Sequence, residues 1–155
     1  MNPAEYKILQ RLRANARSKL TTMSRNTHIP ISTIFDKIRQ LDGRLIRKFT
    51  VLLAFERMGL YSALMVLKVH PEQKAALLQR LKKNPAVNNL RRINNGYDFL
   101  VEMVFANMRE LDGFLEKIEQ EFKLRKKEVF FVLDDIKRET YLSDDLVVHE
   151  HLIGS

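Results

Sequence analysis

Ser32, Thr33, Asp36, Lys37 and Gln40 place hydrogen-bond donors and acceptors within one short stretch of the chain. Ile31, Ile34, Ile38 and Leu41 run through the same stretch at spacings of three, four and three. That is the apolar stripe of a helix with one buried face, and it leaves the polar residues on the other side. Hydroxyls and an amide can both give and take hydrogen bonds at base edges, the Lys37 ammonium can give them, and the Asp36 carboxylate can accept from a cytosine amino group. Arg17, Arg25, Arg44, Arg47 and Lys48 surround the stretch. Cations around such a surface, rather than within it, suit the phosphate backbone. The chemistry is reversible binding of a polyanion.

The elements that must hold this helix are short and close together. Asn2 followed by Pro3 reads as a cap and first helical position, and Ile8, Leu9 and Leu12 give an amphipathic helix ending near Asn15. Ser18 is placed to cap a second helix with Leu20 and Met23 on one face. Thr27-His28-Ile29-Pro30 breaks it, and Gly43 ends the third helix. Helix, short turn, helix in a basic segment is the helix-turn-helix pattern, in which the later helix enters the major groove. The charge agrees. Residues 1–60 carry 12 Lys/Arg against 4 Asp/Glu, and the rest carries 15 against 15, so the whole formal charge of +8 lies in the first third. From Arg44 to Phe55 the pattern alternates imperfectly and is read as an extended wing or connecting strand.

The second half alternates strand and helix signals. Strands are expected over Tyr61–Val69, Val87–Ile93, Asp98–Ala106 and Glu128–Ile136. Helices are expected from Pro71 to about Lys83, with Ala75, Leu78 and Leu81 inward, and from Met108 to Phe122, with Leu111, Leu115, Ile118 and Phe122 inward. The order βαββαβ makes the fold class α+β, a winged-type helix-turn-helix domain followed by a ferredoxin-like domain. Two helices cover one sheet face, yet the strands carry apolar residues on both. Phe99, Val101, Met103 and Phe105 oppose Leu100 and Val104, and Val129, Phe131 and Leu133 oppose Phe130, Val132 and Ile136. A second copy packed face to face would cover the remainder and give a twofold dimer. The alternative is that the N-terminal third folds over that face. The expected organisation is residues 1–50 for DNA binding, 51–60 as connector, 61–142 for the sheet domain and 143–155 as tail.

The chain resembles the Lrp/AsnC (feast/famine) family of bacterial and archaeal transcription regulators. The matching stretches are ILQRLRANARSKL at Ile8–Leu20, IPISTIFDKIRQLD at Ile29–Asp42, LIRKFTVLL at Leu45–Leu53 and MGLYSALMVLKV at Met58–Val69. NNGYDFLVEMVF at Asn94–Phe105 and EVFFVLDDIKRET at Glu128–Thr140 complete the series, in the family's order and spacing. The resemblance implies a recognition helix at Ile31–Asp42. It also implies a C-terminal domain that forms homodimers or higher even homo-oligomers and that in many members binds an amino acid between subunits. Carried over by position, the effector turn is Asn95-Gly96-Tyr97-Asp98, where Asp98 can pair with an ammonium; the alternative is a structural turn in which Asp98 accepts backbone hydrogen bonds. Asn95 replaces the family's usual glycine, Pro30 replaces a capping serine, and the spacing before the connecting strand is one residue shorter.

Other chemistries find little support. The chain has no cysteine, which excludes disulfides, thiolate metal sites and a cysteine nucleophile and fits a reducing cytosol. No apolar run reaches membrane-spanning length and the start lacks a signal-peptide stretch, so a cytoplasmic protein is expected. His149 and His151 form a lone His-x-His near the end, and Asp134-Asp135 and Asp144-Asp145 are adjacent carboxylates without the geometry of an acid/base pair. No phosphate-binding loop or nucleophile elbow is present, and no metal, cofactor or catalytic residue is expected. The leading function is sequence-specific transcription regulation through double-stranded DNA. The alternatives are an architectural DNA organiser of low sequence preference and an enzyme on the ferredoxin-like fold. The former calls for basicity over both halves, the latter for a polar cluster.

Overall fold

The computed structural model describes residues 1–143 and 152–153, and the chain divides into two compact units. The first comprises Met1–Leu52 together with the described residues from Ile136 onward; the second is Leu53–Asp135.

In the first unit, α1 (Pro3–Ala14) begins at a capping box. The Asn2 side chain accepts from the Glu5 N–H at 2.8 Å, and the Glu5 carboxylate accepts from the Asn2 N–H at 3.2 Å. α2 (Leu20–Thr27) starts one residue later than a Ser18 cap requires. Lys19 holds the cap position without a side-chain bond, and the Ser18 N–H donates to the Asn15 carbonyl inside the preceding turn. His28 then takes a left-handed conformation, φ 59°, which turns the chain into Ile29 and Pro30. α3 (Ile31–Leu41) follows, and Gly43 at φ +74° sends the chain back so that the Leu41 carbonyl accepts from Leu45 and Ile46. The stripe expected of α3 does its work: Ile34 and Leu41 join Ile8 and Met23 in a small core flanked by Leu9, Leu12, Leu20, Ile29, Ile38 and Ile46.

The expected strand after α3 does not form. Asp42 and Ile46 make one isolated bridge, residues 47–54 belong to no sheet, and a short 3-10 turn spans Phe55–Met58. Phe49, Val51, Leu52 and Leu53 are exposed along this stretch. Their alternation is a strand pattern without a partner strand among the described residues.

The second unit is a four-stranded antiparallel sheet, β1 (Tyr61–Val69), β2 (Val87–Arg92), β3 (Phe99–Phe105) and β4 (Leu124–Phe131), in the order β2-β3-β1-β4. α4 (Lys74–Lys82), entered through a 3-10 turn at Pro71–Gln73, and α5 (Met108–Glu121), capped by Asn107, cover one face. Alternate residues of β1 and β3 meet them: Ala63, Met65, Leu67 and Val69, with Phe99, Val101, Met103 and Phe105. The helices supply Leu77 and Leu81, and Leu111, Phe114 and Ile118. Ala75 is exposed, and Leu77 takes the inward place expected of it; Phe114 takes the one expected of Leu115.

β4 departs most from expectation. It starts at Leu124 and stops at Phe131, because its partner sets its length: Val69 pairs with Leu124, Ala63 with Phe131, and the last bond runs from the Val132 N–H to the Ser62 carbonyl. Arg125, Lys126 and Lys127 disguise the strand as a loop, yet an edge strand accommodates such residues and is protected by them. Leu133 and Ile136 lie beyond the sheet and are exposed. From Ile136 the chain groups with the first unit, where Arg13 donates to the carbonyls of Glu139 (2.6 Å) and Tyr141 (3.0 Å) and pairs with the Glu139 carboxylate. The uncovered sheet face is also less uniform than expected. Leu64, Val66, Leu100, Val104 and Phe130 form an apolar band, while Lys68, Glu102, Lys126 and Glu128 share the face. No helix among the described residues is long and apolar enough to cross a membrane.

Candidate nucleic-acid interface and ligand turn

The outward side of α3 is set by its buried side. With Ile34 and Leu41 inside and Ile38 half-buried, a turn of 3.6 residues puts Ser32, Asp36 and Arg39 on the outermost line. Thr33 and Gln40 flank it on one side and Phe35 on the other, all exposed. Four of the five residues expected to face bases therefore share a free surface.

Lys37 does not. Its side chain leans to the flank of the helix, donates to the Gln40 amide oxygen at 3.3 Å and lies 3.9 Å from the Glu5 carboxylate. Arg44, expected at phosphate, reaches the same carboxylate at 2.7 Å. Glu5 is buried, which alone would raise its pKa. The Asn2 N–H, the Arg44 hydrogen bond and the charges of Arg44 and Lys37 outweigh that and hold it below the ordinary carboxylate value. Glu5 thus fastens the start of α1 to α3 and the turn beyond it. The Asn2-x-x-Glu5 spacing of a capping box was the sequence signal for part of this role; its two cationic partners lie far along the chain.

Arg17, Arg25, Arg47 and Lys48 are exposed, and none is held in an ion pair among the described residues. Arg17 stands in the turn after α1, Arg25 in the last turn of α2, and Arg47 and Lys48 on the unpaired segment after α3. His28 is exposed in the turn between α2 and α3.

The second candidate site lies in the other unit, at the β2–β3 turn. Asn95 (φ 59°) and Gly96 (φ 89°) are consecutive left-handed residues, so asparagine meets the backbone demand of the position it occupies. The Tyr97 hydroxyl donates to Glu128, and the Lys126 ammonium stands 5.8 Å from the centre of the Tyr97 ring. Asp98 is already engaged on both oxygens. The Val69 N–H donates to one at 3.0 Å, and the Lys74 ammonium lies 2.6 Å from the other. Burial would raise this carboxyl, but Lys74, the Val69 N–H and the nearby Lys68 charge bring it below its ordinary value. Asp98 therefore ties the end of β1 and the start of α4 to the start of β3. Lys74 and Lys126 escaped the sequence reading because they are remote along the chain and carry no motif.

Among the described residues no group of three or more His, Asp or Glu is arranged to hold a metal. His70 sits at the strand end facing Glu72, while His149, His151 and Asp144-Asp145 fall outside the described residues.

Comparison with known proteins gives concordant results. The family described as the Lrp/AsnC ligand binding domain matches residues 62–142. The HTH-type transcriptional regulator FL11 of Pyrococcus horikoshii is 29% identical over 121 residues, which cover 76% of this chain and 80% of that protein. A transcriptional regulator of Neisseria meningitidis, solved as a complex with L-Met, superposes with a TM-score of 0.82 at 21% identity, covering 98% of this chain and 99% of that one. LrpC of B. subtilis superposes with a TM-score of 0.77 at 14% identity, covering 88% and 97%.

Proposed function

Because the chain belongs to the Lrp/AsnC family of transcriptional regulators, a family of regulators and not of enzymes, we propose that it reads specific DNA sequences with α3 and assembles through its sheet domain. The observation that carries this reading is the exposed polar ridge of α3 within residues 1–60, which hold the chain's entire excess of positive charge. Ser32, Thr33, Asp36 and Gln40 face base edges in the major groove, with Lys37 at the margin. Arg17, Arg25, Arg47 and Lys48 hold phosphates. Arg44 joins them only by sharing itself with Glu5.

The test is a salt titration of DNA binding with specific and random competitor. Each cation that neutralises a phosphate adds about 0.9 to the slope of log K against log salt. Replacing Arg47 and Lys48 by alanine should weaken operator and random DNA alike and lower the slope by about 2. A changed base preference with an unchanged slope would refute the phosphate assignment. An architectural protein would instead show equal competition by random and specific DNA.

Assembly follows from surfaces the monomer leaves open: the apolar band of the sheet and the exposed segment from Phe49 to Leu53, whose strand pattern suits pairing with its equivalent in a second copy. The sheet domain also responds to an amino acid bound near Asn95-Gly96-Tyr97-Asp98, a reading supported by the L-Met complex of the Neisseria regulator. Lys74, next to Asp98, offers an ammonium to a ligand carboxylate, and Asp98 receives the ligand ammonium by partly releasing Lys74. Screening amino acids at millimolar concentration by thermal shift should find one that stabilises the protein, since a ligand bound only to the folded state raises its melting temperature. The shift should vanish in Asp98→Ala. A shift that survives in a folded Asp98→Ala protein moves the ligand elsewhere. No shift with any amino acid leaves Asp98 as a structural tie.

A further inference from the structure

Phe35 is at odds with its position. It lies on α3 away from the core, with half of its surface exposed (50%), although the helix buries Ile34 and Leu41 on its other side. One turn further on, the Arg39 guanidinium stands 5.8 Å from the centre of the Phe35 ring. Arg39 is itself exposed and has no ion pair among the described residues. An aromatic ring on the flank and an arginine on the outermost line are thus held against each other on the helix that faces DNA in the function proposed above.

We propose that Phe35 and Arg39 form one reading unit for a thymine next to a guanine, Phe35 meeting the thymine methyl and Arg39 the guanine edge. This pairing rests on α3 being the reading helix, as proposed above, and specifies the bases it selects. In the major groove the only apolar group a base pair presents is the thymine C5-methyl, and an exposed phenyl ring is the side chain on this surface that gains by covering it. Guanine offers O6 and N7 together, the pair of acceptors that a guanidinium fork matches. The ring contact restricts Arg39 before DNA arrives, so less side-chain freedom is lost on binding. The separation suits neighbouring bases: successive base pairs rise about 3.4 Å along one strand, and a sideways offset between a methyl and a guanine edge makes up the difference from 5.8 Å. Asp36, beside this pair, repels the acceptor edge of guanine at its own position and so favours a cytosine amino group there.

The test is selection from a random DNA pool with the full-length protein, followed by atom-level changes in the selected site. Wild-type protein should select a site containing a thymine beside a guanine. Replacing that thymine by deoxyuridine, which removes the methyl alone, should weaken binding about threefold to tenfold; replacing the guanine by 7-deazaguanine should weaken it about tenfold or more. Phe35→Ala should bind the thymine and deoxyuridine sites equally, Phe35→Leu should keep part of the difference, and Arg39→Ala should lose sensitivity to 7-deazaguanine. Thermal melting of Phe35→Ala, Phe35→Leu and Arg39→Ala, followed by circular dichroism, should match the parent, since both side chains are exposed, and so separates lost reading from lost folding. If Phe35→Ala and Arg39→Ala retain the wild-type consensus and sensitivities while Ser32→Ala or Gln40→Ala alter them, this pairing is wrong and α3 still reads DNA. If the wild-type protein selects no consensus, sequence-specific reading itself fails and the pairing with it.

Discussion

Ile34→Ala should abolish DNA binding while leaving the sheet unit folded. The core of the N-terminal unit is small: Ile8, Met23, Ile34 and Leu41 are fully or almost fully buried, and the apolar residues around them are only partly so. Truncating a buried isoleucine to alanine costs about 2–5 kcal/mol, more where the surroundings cannot collapse into the space. A unit of this size has a stability of only a few kcal/mol to spare. Ile34 also sets the rotation of α3, since its burial is what turns Ser32, Asp36 and Arg39 outward. Thermal melting followed by circular dichroism should show the helical signal of the first unit lost at lower temperature, with a second transition near that of the wild type from the sheet unit. Binding to any DNA at moderate salt should be lost. Ile34→Val, which removes one methylene and costs about 0.5–1.5 kcal/mol, should bind nearly as the parent does. Wild-type affinity in Ile34→Ala would mean that the unit is far better packed than so small a core suggests, or that α3 is not the part that binds.

Phe130→Glu should abolish the face-to-face assembly proposed for the sheet domain and leave monomers. Phe130 pairs in register with Leu64 on the uncovered face and is 51% exposed in the single chain, so its replacement disturbs no core. Two sheets packed face to face lie about 10 Å apart, close enough to strip water from a side chain at this place. A carboxylate buried there without a partner would cost several kcal/mol per subunit. Glu102 and Glu128 on the same face would add repulsion. Twofold symmetry doubles the penalty, because each copy presents the same residue. Light scattering at micromolar concentration should report one chain mass for the variant and a multiple of it for the parent. An unchanged multiple would transfer the main contact to the apolar segment from Phe49 to Leu53, whose charged variants are then the ones to make.

The order of elements was legible in the sequence because it is written in periodicity. The three-four-three spacing of Ile31, Ile34, Ile38 and Leu41 is enough to give α3 and its buried side, and the apolar run at Tyr61–Val69 gave β1 at its observed bounds. Asn2 and Pro3, and the left-handed glycine at 43, marked helix ends through local backbone chemistry. Phe35 and Arg39 stood in plain view four residues apart, yet an apolar residue on a polar ridge looks like noise until the helix's buried side is known. Where a residue's partner is distant, local signals fail. The segment 47–54 has a strand's alternation and, among the described residues, no strand to join. β4 took its length from β1 and hid behind Arg125, Lys126 and Lys127. Lys37 and Arg44 look like free cations until Glu5, at the other end of the unit's sequence, draws them in. Asp98 reads as a turn residue until β1 and α4 bring Val69 and Lys74 to its two oxygens. Periodicity records which way a side chain faces, because that depends on its own neighbours in the chain. What it meets there is decided by topology, which brings together residues that the sequence keeps apart.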